Sequence, residues 1–510
     1  MKSFFYLRPD MQGRDYHRFF YFTVLALIGL LYWPRIADYG LFMDGSYYGT
    51  IAHNMALGDG SFWRPIFHNI NLRYNSGSAV FYEHPPLMFW LESWFFRVFG
   101  DGFYVENIYG TVILVLHILT LTYFFRALTQ GKYSFFAAWP VLLLWYAVPT
   151  ISWSFPQNMI DNTLSLWCLW AVYLIFIGLR KDHFLYAVVA GVLIGLAVLT
   201  KGPVGLFPLA AVGMYWLASL LTQAKGFRYP IFRSIYKTIA LLFGLGIVGV
   251  NVYMSPSGRK FMTQYIHQQV IPSVSGQREM PNTLSAHLSI LRDMLVEYAP
   301  IYGIAIVLWV IFRKRHGSDS LIVAARKNNT RFAVWMLMVG FSSTLPIALS
   351  AKSHSFYLIS GVPYFAMAVV LYWVNDIDAV VQRLVLTKRQ QSVWVGSVIA
   401  IFVFSIVSTV WQWGDYKRDT LLLHDMELLS QKMPKDTVVG IFADISNSTW
   451  YTFDSNLERH LLIRTNPDWS AEEVVLTRAV VDSTALSELT QNNYKPLEGD
   501  WKAFRVFVRK

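Results

Sequence analysis

The chain has 510 residues, 55% of them hydrophobic, 17% aromatic and only 15% charged, with a formal net charge of +11 at pH 7. That balance is too apolar for a soluble chain and implies a polytopic membrane protein. A single cysteine, Cys168, excludes an intrachain disulfide framework and a cysteine-based zinc site, and its place in an apolar stretch suits a small packing residue.

Apolar stretches of about 17 to 25 residues are needed to cross the hydrocarbon core. They run over 19–36, 104–125, 134–151, 159–179, 184–200, 203–222, 236–254, 297–312, 332–350, 356–374 and 393–413, about eleven spans. The first lacks a small-residue cleavage site, since Pro34-Arg35-Ile36-Ala37-Asp38 is a poor candidate, so it reads as a retained signal anchor. Lys and Arg near span ends favour the cytoplasmic side. With the N-terminus inside, the cytoplasmic segments collect Arg8, Arg14 and Arg18, then Arg126 and Lys132, Arg180 and Lys181, Lys225 to Lys237, Arg313-Lys314-Arg315, and Arg383 to Arg389. The excess positive charge therefore has a topological reading, and no nucleic-acid partner is implied.

In chain order, residues 37–102 form a first outer segment rich in aromatics, with Ser46 to Leu57 and Pro86 to Phe99 predicted as helices lying along the membrane surface. The second of these ends at Gly100-Asp101-Gly102. Another outer segment, 255–296, carries Tyr265-Ile266-His267. The membrane domain closes at 413, and 414–510 reads as a soluble α/β domain: a helix over Lys417 to Met433, strands at Val438 to Ala443, His460 to Arg464 and Val474 to Val481, a short helix over Ser483 to Thr490, and a last strand over Trp501 to Val508. An odd span count puts this tail outside. It has no nucleotide-binding glycine pattern, and its role is either a lid or acceptor-docking surface or simply a cover for the outer face.

The unusual polar residues gather at the outer ends of the spans: Asp44, Glu83-His84-Pro85-Pro86, Asp161, Thr200-Lys201-Gly202-Pro203, His267 and Lys352. One site on one membrane face explains that distribution. An anion held at a membrane border is costly unless hydrated or paired. Asp44 is either a base able to accept a proton from an attacking hydroxyl or an N-cap for a helix starting at Ser46. Asp161 at a helix start and Lys201 and Lys352 at span ends are each unremarkable alone. Jointly, with Tyr357, they supply two carboxylates and two cations at one depth, which suits transfer away from an anionic phosphate leaving group.

The run Met43-Asp44-Gly45-Ser46-Tyr47-Tyr48-Gly49, the segment from Glu83-His84-Pro85-Pro86 to Phe99-Gly100, Asp161 before a span, and Leu199-Thr200-Lys201-Gly202-Pro203 together resemble the GT-C membrane glycosyltransferases. The nearest group is the bacterial aminoarabinose (lipid A) transferases and protein O-mannosyltransferases, family 39, in motif order from about residue 15 to 375. The resemblance implies a GT-C fold of eleven to thirteen spans with periplasmic surface helices, and inverting transfer of a sugar from a polyprenyl-phosphate donor to a lipid or protein acceptor. It further implies an inner-membrane enzyme, of a bacterial envelope, with its site and tail on the periplasmic side among membrane lipids. Asp44 and Asp161 would be the catalytic carboxylates. Lys201, Lys352, Tyr357 and His84 would hold the donor phosphate, and Glu83, His267 and Tyr48 would face the acceptor or substrate. Two departures stand out: the family's frequent Asp-Glu pair is Asp44-Gly45 here, and His84 stands where relatives have Lys. No cofactor is required on this reading. A divalent cation held by Glu83, His84 and His267 through N and O ligands is the alternative. Rival readings are a sugar-lipid binding subunit with a dead site, a lipid or sugar transporter, and an oligosaccharide transferase of the same class.

Overall fold

The computed structural model describes residues 14–70, 79–222, 230–275, 283–313, 320–350, 354–434, 437–442, 450–466, 468–478, 480–481 and 483–510. They divide into two compact units, one of Met1–Arg35, Thr111–Phe155 and Ile160–Trp411, the other of Ile36–Gly110, Pro156–Met159 and Gln412–Lys510.

The first unit is a helical membrane bundle. Among the described residues eight helices are long and apolar enough to cross a membrane, or ten if each of two bent pairs is one span. Phe135–Tyr146 and Pro149–Gln157 meet at 85°. The cause is local, because Val148 precedes a proline and is extended (φ −70°, ψ 124°). Leu284–Glu297 and Ala299–Phe312 meet at 51°, with Pro300 opening the second helix. The first helix of that pair falls almost wholly within the outer segment expected over 255–296.

The longest apolar run, Phe184–Leu221, has 38 residues, nearly twice the ~20 that span a bilayer. It is a hairpin of two spans. At Gly202 the backbone leaves helical space (φ 75°, ψ −146°), and a Cβ placed on Gly205 would lie 2.6 Å from the carbonyl carbon of Ala197, eight residues earlier. In an uninterrupted helix those residues stand ~12 Å apart. Among the described residues, dividing that run and counting each bent pair as one span gives the eleven crossings expected from hydropathy.

Span ends keep the company that the charge pattern assigned them. At one end His17 Nε2 meets Asp378 at 3.0 Å, Lys132 donates to Asn375 (3.2 Å), Arg180 donates to the Ala127 carbonyl (3.2 Å), and Arg233 and Lys237 each lie 3.4 Å from Asp182. At the other, Arg35 donates to the Ser152 carbonyl (3.1 Å), Glu297 accepts from the Thr150 amide and hydroxyl (3.1 and 3.0 Å), and His287 donates to the Ala348 carbonyl (2.8 Å). No bond of either set mixes a residue predicted inside with one predicted outside.

The second unit joins the first outer segment to the tail. Helices Met43–Leu57 and Leu87–Phe99 pack together, with a short hairpin of β1 (Gly60–Ser61) and β2 (Arg64–Pro65) between them. In the tail, β3 (Val438–Ile441), β4 (Arg464–Asn466), β5 (Val474–Arg478), β6 (Tyr494–Pro496) and β7 (Phe504–Arg509) form a mixed sheet of order β4-β3-β5-β7-β6. One face carries the larger core, Leu429, Val439, Leu457, Leu476, Trp501 and Phe504 among others. The predicted strand at His460 to Arg464 is instead the end of a helix, Trp450–Leu461, and a turn into β4.

That helix pins the two sequence-distant segments together through buried polar bonds. Ser455 Oγ meets Ser46 Oγ at 2.7 Å, and Thr50 donates to the Ser455 carbonyl (3.1 Å). Glu458 accepts from Asn54, from the His68 amide and ring, and from the Asn69 amide. Arg459, buried, lies 2.7 Å from Glu106 and donates to the carbonyls of Asp101 and Gly102. Removing one member of a buried pair strands the other charge. Arg459→Ala is therefore expected to cost about 3–5 kcal/mol, read as a fall in the thermal midpoint and faster proteolysis within 36–110 and 412–510. A midpoint within a degree of wild type would show that Glu106 finds another partner.

Candidate active site

In the membrane unit the sequence-predicted Asp161 and Lys201 form one ion pair. Lys201 closes the helix Phe184–Lys201, and the left-handed turn at Gly202 ends it there. A Cβ at Gly202 would lie 1.9 Å from the Tyr265 hydroxyl, so the position is closed to larger residues by space as well as by backbone. Asp161 lies in the first turn of Ile160–Lys181, where the macrodipole favours an anion. Lys201 Nζ sits 2.6 Å from each Asp161 oxygen, with the side chains 8% and 2% exposed. The ammonium also faces the rings of Tyr357 (4.4 Å to the centroid) and Phe356 (5.5 Å). It has three N–H donors. Two serve Asp161, and among the described residues no acceptor takes the third, which can meet a further anion such as a phosphate.

The sequence reading treated Asp161 and Lys201 as separate agents; the geometry makes the carboxylate the holder of the lysine. Tyr265 donates to the Lys201 carbonyl (3.5 Å), while His267 is exposed in a π-helical turn, Ile266–Val270. Lys352 lies outside the described residues. Three residues missed in the sequence belong here: Tyr265, Phe356 and His354, whose ring stacks on Phe356 at 5.1 Å. Their signal was their adjacency to His267 and Tyr357, the residues chosen instead.

In the second unit Asp44 is not an N-cap. The helix begins at Met43, Phe42 caps it without a side-chain bond, and Asp44 sits in the first turn, half-buried. Tyr48 stands one turn on, on the same face, and its ring meets His84 (5.8 Å) and Phe89 (5.6 Å). Asp44, Tyr48 and His84 thus share one side of the unit, and Glu83 precedes His84 in a bend. Behind the turn lies Gly45. A Cβ there would be 2.0 Å from the Gln157 carbonyl oxygen, so the second carboxylate of the family's Asp-Glu pair has no room.

A carboxyl does lie beneath the helix, at Glu92, fully buried in Leu87–Phe99. Its Oε1 accepts from Asn158 Nδ2 (2.8 Å), which also donates to the Gly45 carbonyl (3.2 Å). Burial first, then the Glu106 carboxylate, push the Glu92 carboxyl well above the usual carboxylate range, against the Asn158 bond and the Arg459 charge. The folded state thus holds this proton more tightly than the unfolded chain. Its contribution to stability is complete below the ordinary carboxylate range and is lost as pH rises through the raised folded value. Between pH 5.5 and 8.5 the thermal midpoint of wild type is expected to fall by several degrees more than that of Glu92→Gln; parallel curves would show that Glu92 titrates normally.

Among the described residues no group of three or more His, Cys, Asp or Glu side chains gathers as metal ligands. Glu83 and His84 fall in one unit and His267 in the other. Asp161 has an ammonium on both oxygens.

Residues 83–253 match the family described as dolichyl-phosphate-mannose-protein mannosyltransferase. No curated protein matches the chain. Among solved structures, ArnT from Cupriavidus metallidurans bound to undecaprenyl phosphate is 15% identical, with a TM-score of 0.56 over 96% of this chain and 97% of that one. The same protein in the apo state gives 16%, 0.53, 96% and 97%. The archaeal oligosaccharyltransferase AglB from Archaeoglobus fulgidus, in complex with an inhibitory peptide and a dolichol-phosphate, is 12% identical at a TM-score of 0.49, over 97% and 74% of the two chains. The likeness to ArnT shows the fold. The matched segment covers about a third of the chain, and the family resemblance of its motifs and the fold shared with ArnT point the same way.

Proposed function

We propose that the protein is an inverting glycosyltransferase that takes a sugar from a polyprenyl-phosphate carrier and transfers it to a lipid or protein acceptor at the periplasmic face of a bacterial inner membrane. The observation that carries this reading is the Asp161–Lys201 pair: a buried ammonium fixed by a carboxylate and two rings, with one donor to spare. A transporter has little use for so fixed a cation, whereas a departing phosphate needs one already in place. The fold shared with a protein solved with undecaprenyl phosphate supports the same donor class.

In the reaction, an acceptor hydroxyl attacks the anomeric carbon while the bond to the carrier oxygen breaks on the opposite face. The electron pair leaves with the phosphate, whose added charge Lys201 stabilises. Asp44 takes the acceptor proton. Tyr48 is assigned to the acceptor and His84 to the donor phosphate, and Tyr357 keeps Lys201 in position. Asp161 acts through Lys201, which is why its own oxygens need not touch the sugar.

The test is transfer by purified protein in nanodiscs, with a panel of polyprenyl-phosphate sugars and envelope lipid extract. Asp44→Asn is expected to lower turnover about 10²–10⁴-fold, the range for a general base, with the fold intact. Transfer indifferent to Asp44→Asn and Lys201→Ala, or no transfer from any donor, would favour a sugar-lipid binding subunit.

A further inference from the structure

Two residues just before the Asp161 helix grip the turn that carries Asp44. Gln157 Oε1 accepts the Phe42 amide at 2.6 Å, satisfying a helix-start donor that the Phe42 side chain cannot cap. Asn158 Nδ2 holds the Gly45 carbonyl. Asp44 therefore lies between two anchored residues, Phe42 and Gly45, and both anchors come from one dipeptide. Asn158 pays a conformational penalty to do this, with φ at 52° in the left-handed region, and it is 3% exposed. Its second bond goes to Glu92, a carboxyl group whose other oxygen, Oε2, has no hydrogen-bond partner among the described residues. A side chain that bridges a backbone carbonyl and a buried acid has no freedom to turn. Nothing in the packing of two apolar helix faces requires such a bridge.

We propose that Gln157, Asn158 and Glu92 form a clamp that positions the Asp44 carboxylate. This role rests on the reading of Asp44 as the group that receives the acceptor proton. None of the three touches substrate on this account; they fix the first turn of Met43–Leu57 so that Asp44 meets the acceptor at one distance and angle. A misplacement of ~1 Å in such a group costs about 10²-fold in rate.

The experiment uses the full chain in nanodiscs, the same donor panel, and hydrogen exchange at residues 42–48. Asn158→Ala and Glu92→Ala are each expected to lower kcat about 10–100-fold while the donor KM stays within two-fold, because the phosphate site is not theirs. Glu92→Gln keeps an oxygen for Asn158 and is expected to recover most of the loss seen with Glu92→Ala. The double alanine variant is expected to be no worse than either single one, as members of one network are not additive. Exchange of the Phe42 to Tyr48 amides is expected to quicken in Asn158→Ala and, at Phe42 first, in Gln157→Ala, a milder change that keeps the buried bridge. Unchanged exchange in Gln157→Ala and Asn158→Ala, additive losses, or Glu92→Gln as damaging as Glu92→Ala would each overturn the clamp. Absence of transfer by wild type with every donor would sink the glycosyltransferase reading, and the exchange result would still decide the clamp.

Discussion

Lys201→Ala is expected to damage the protein more than removal of Lys201 and Asp161 together. With the lysine gone, Asp161 keeps its burial and its place in the membrane helix but loses the ammonium that lay 2.6 Å from its oxygens. An uncompensated buried charge costs about 3–5 kcal/mol. Replacing both partners by apolar residues of similar volume, Lys201→Met with Asp161→Leu, removes the charges that burial penalises, and such swaps are neutral or stabilising by ~1–4 kcal/mol. The thermal midpoint in nanodiscs is thus expected to fall in Lys201→Ala and to return to the wild-type value or above in the double variant, while transfer is lost in both. That divergence separates the lysine's proposed catalytic role from its structural one. A double variant less stable than Lys201→Ala would mean that the pair is held by solvent or lipid rather than by the protein interior.

Gly45→Ala is the second large effect. The atom that a Cβ would strike at 2.0 Å is the backbone oxygen of Gln157, which no rotamer change moves aside. Overpacking usually costs 1–3 kcal/mol; here the displaced element also carries the Gln157 and Asn158 bonds to the same turn, so a loss above ~3 kcal/mol is expected. Gly45→Glu, which would recreate the family's Asp-Glu pair, is expected to yield no folded protein. The control is Gly213→Ala, whose Cβ would meet nothing within 4 Å and which should gain up to ~1 kcal/mol from helix propensity. Equal midpoints for Gly45→Ala and wild type would show that residues 156–159 do not lie against the helix.

What could be read from the chain itself follows from these contacts. Long apolar runs separated by basic loops are a strong signal, and they located the spans and their two ends. Pairing of Asp161 with Lys201 was within reach because both stand at outer span ends, but hydropathy says nothing about which oxygen an ammonium chooses. The start of the Asp44 helix was missed by three residues because Phe42 and Met43 carry no capping side chain. The need for glycine at 45 was invisible, since the backbone that crowds it comes from over a hundred residues away and leaves no local trace. Trp450–Leu461 was partly misread as strand for a different reason. Its buried face holds Ser455, Glu458 and Arg459, residues that a hydrophobic pattern assigns to solvent.

The joining of first outer segment and tail also sets an order of events in synthesis. Glu106 leaves the ribosome 353 residues before Arg459, its partner. At about 5–20 residues per second, that is a wait of roughly 20–70 s during which the segment bearing Asp44 lacks the helix that holds Ser46, Thr50 and Asn54. Most of the bundle can insert in that interval, whereas the segment bearing Asp44 reaches its final form only when the helix Trp450–Leu461 arrives. The segment bearing Asp44 would therefore stay unfinished until the helix Trp450–Leu461 has been made, and a premature stop before that helix would leave the segment without its buried partners.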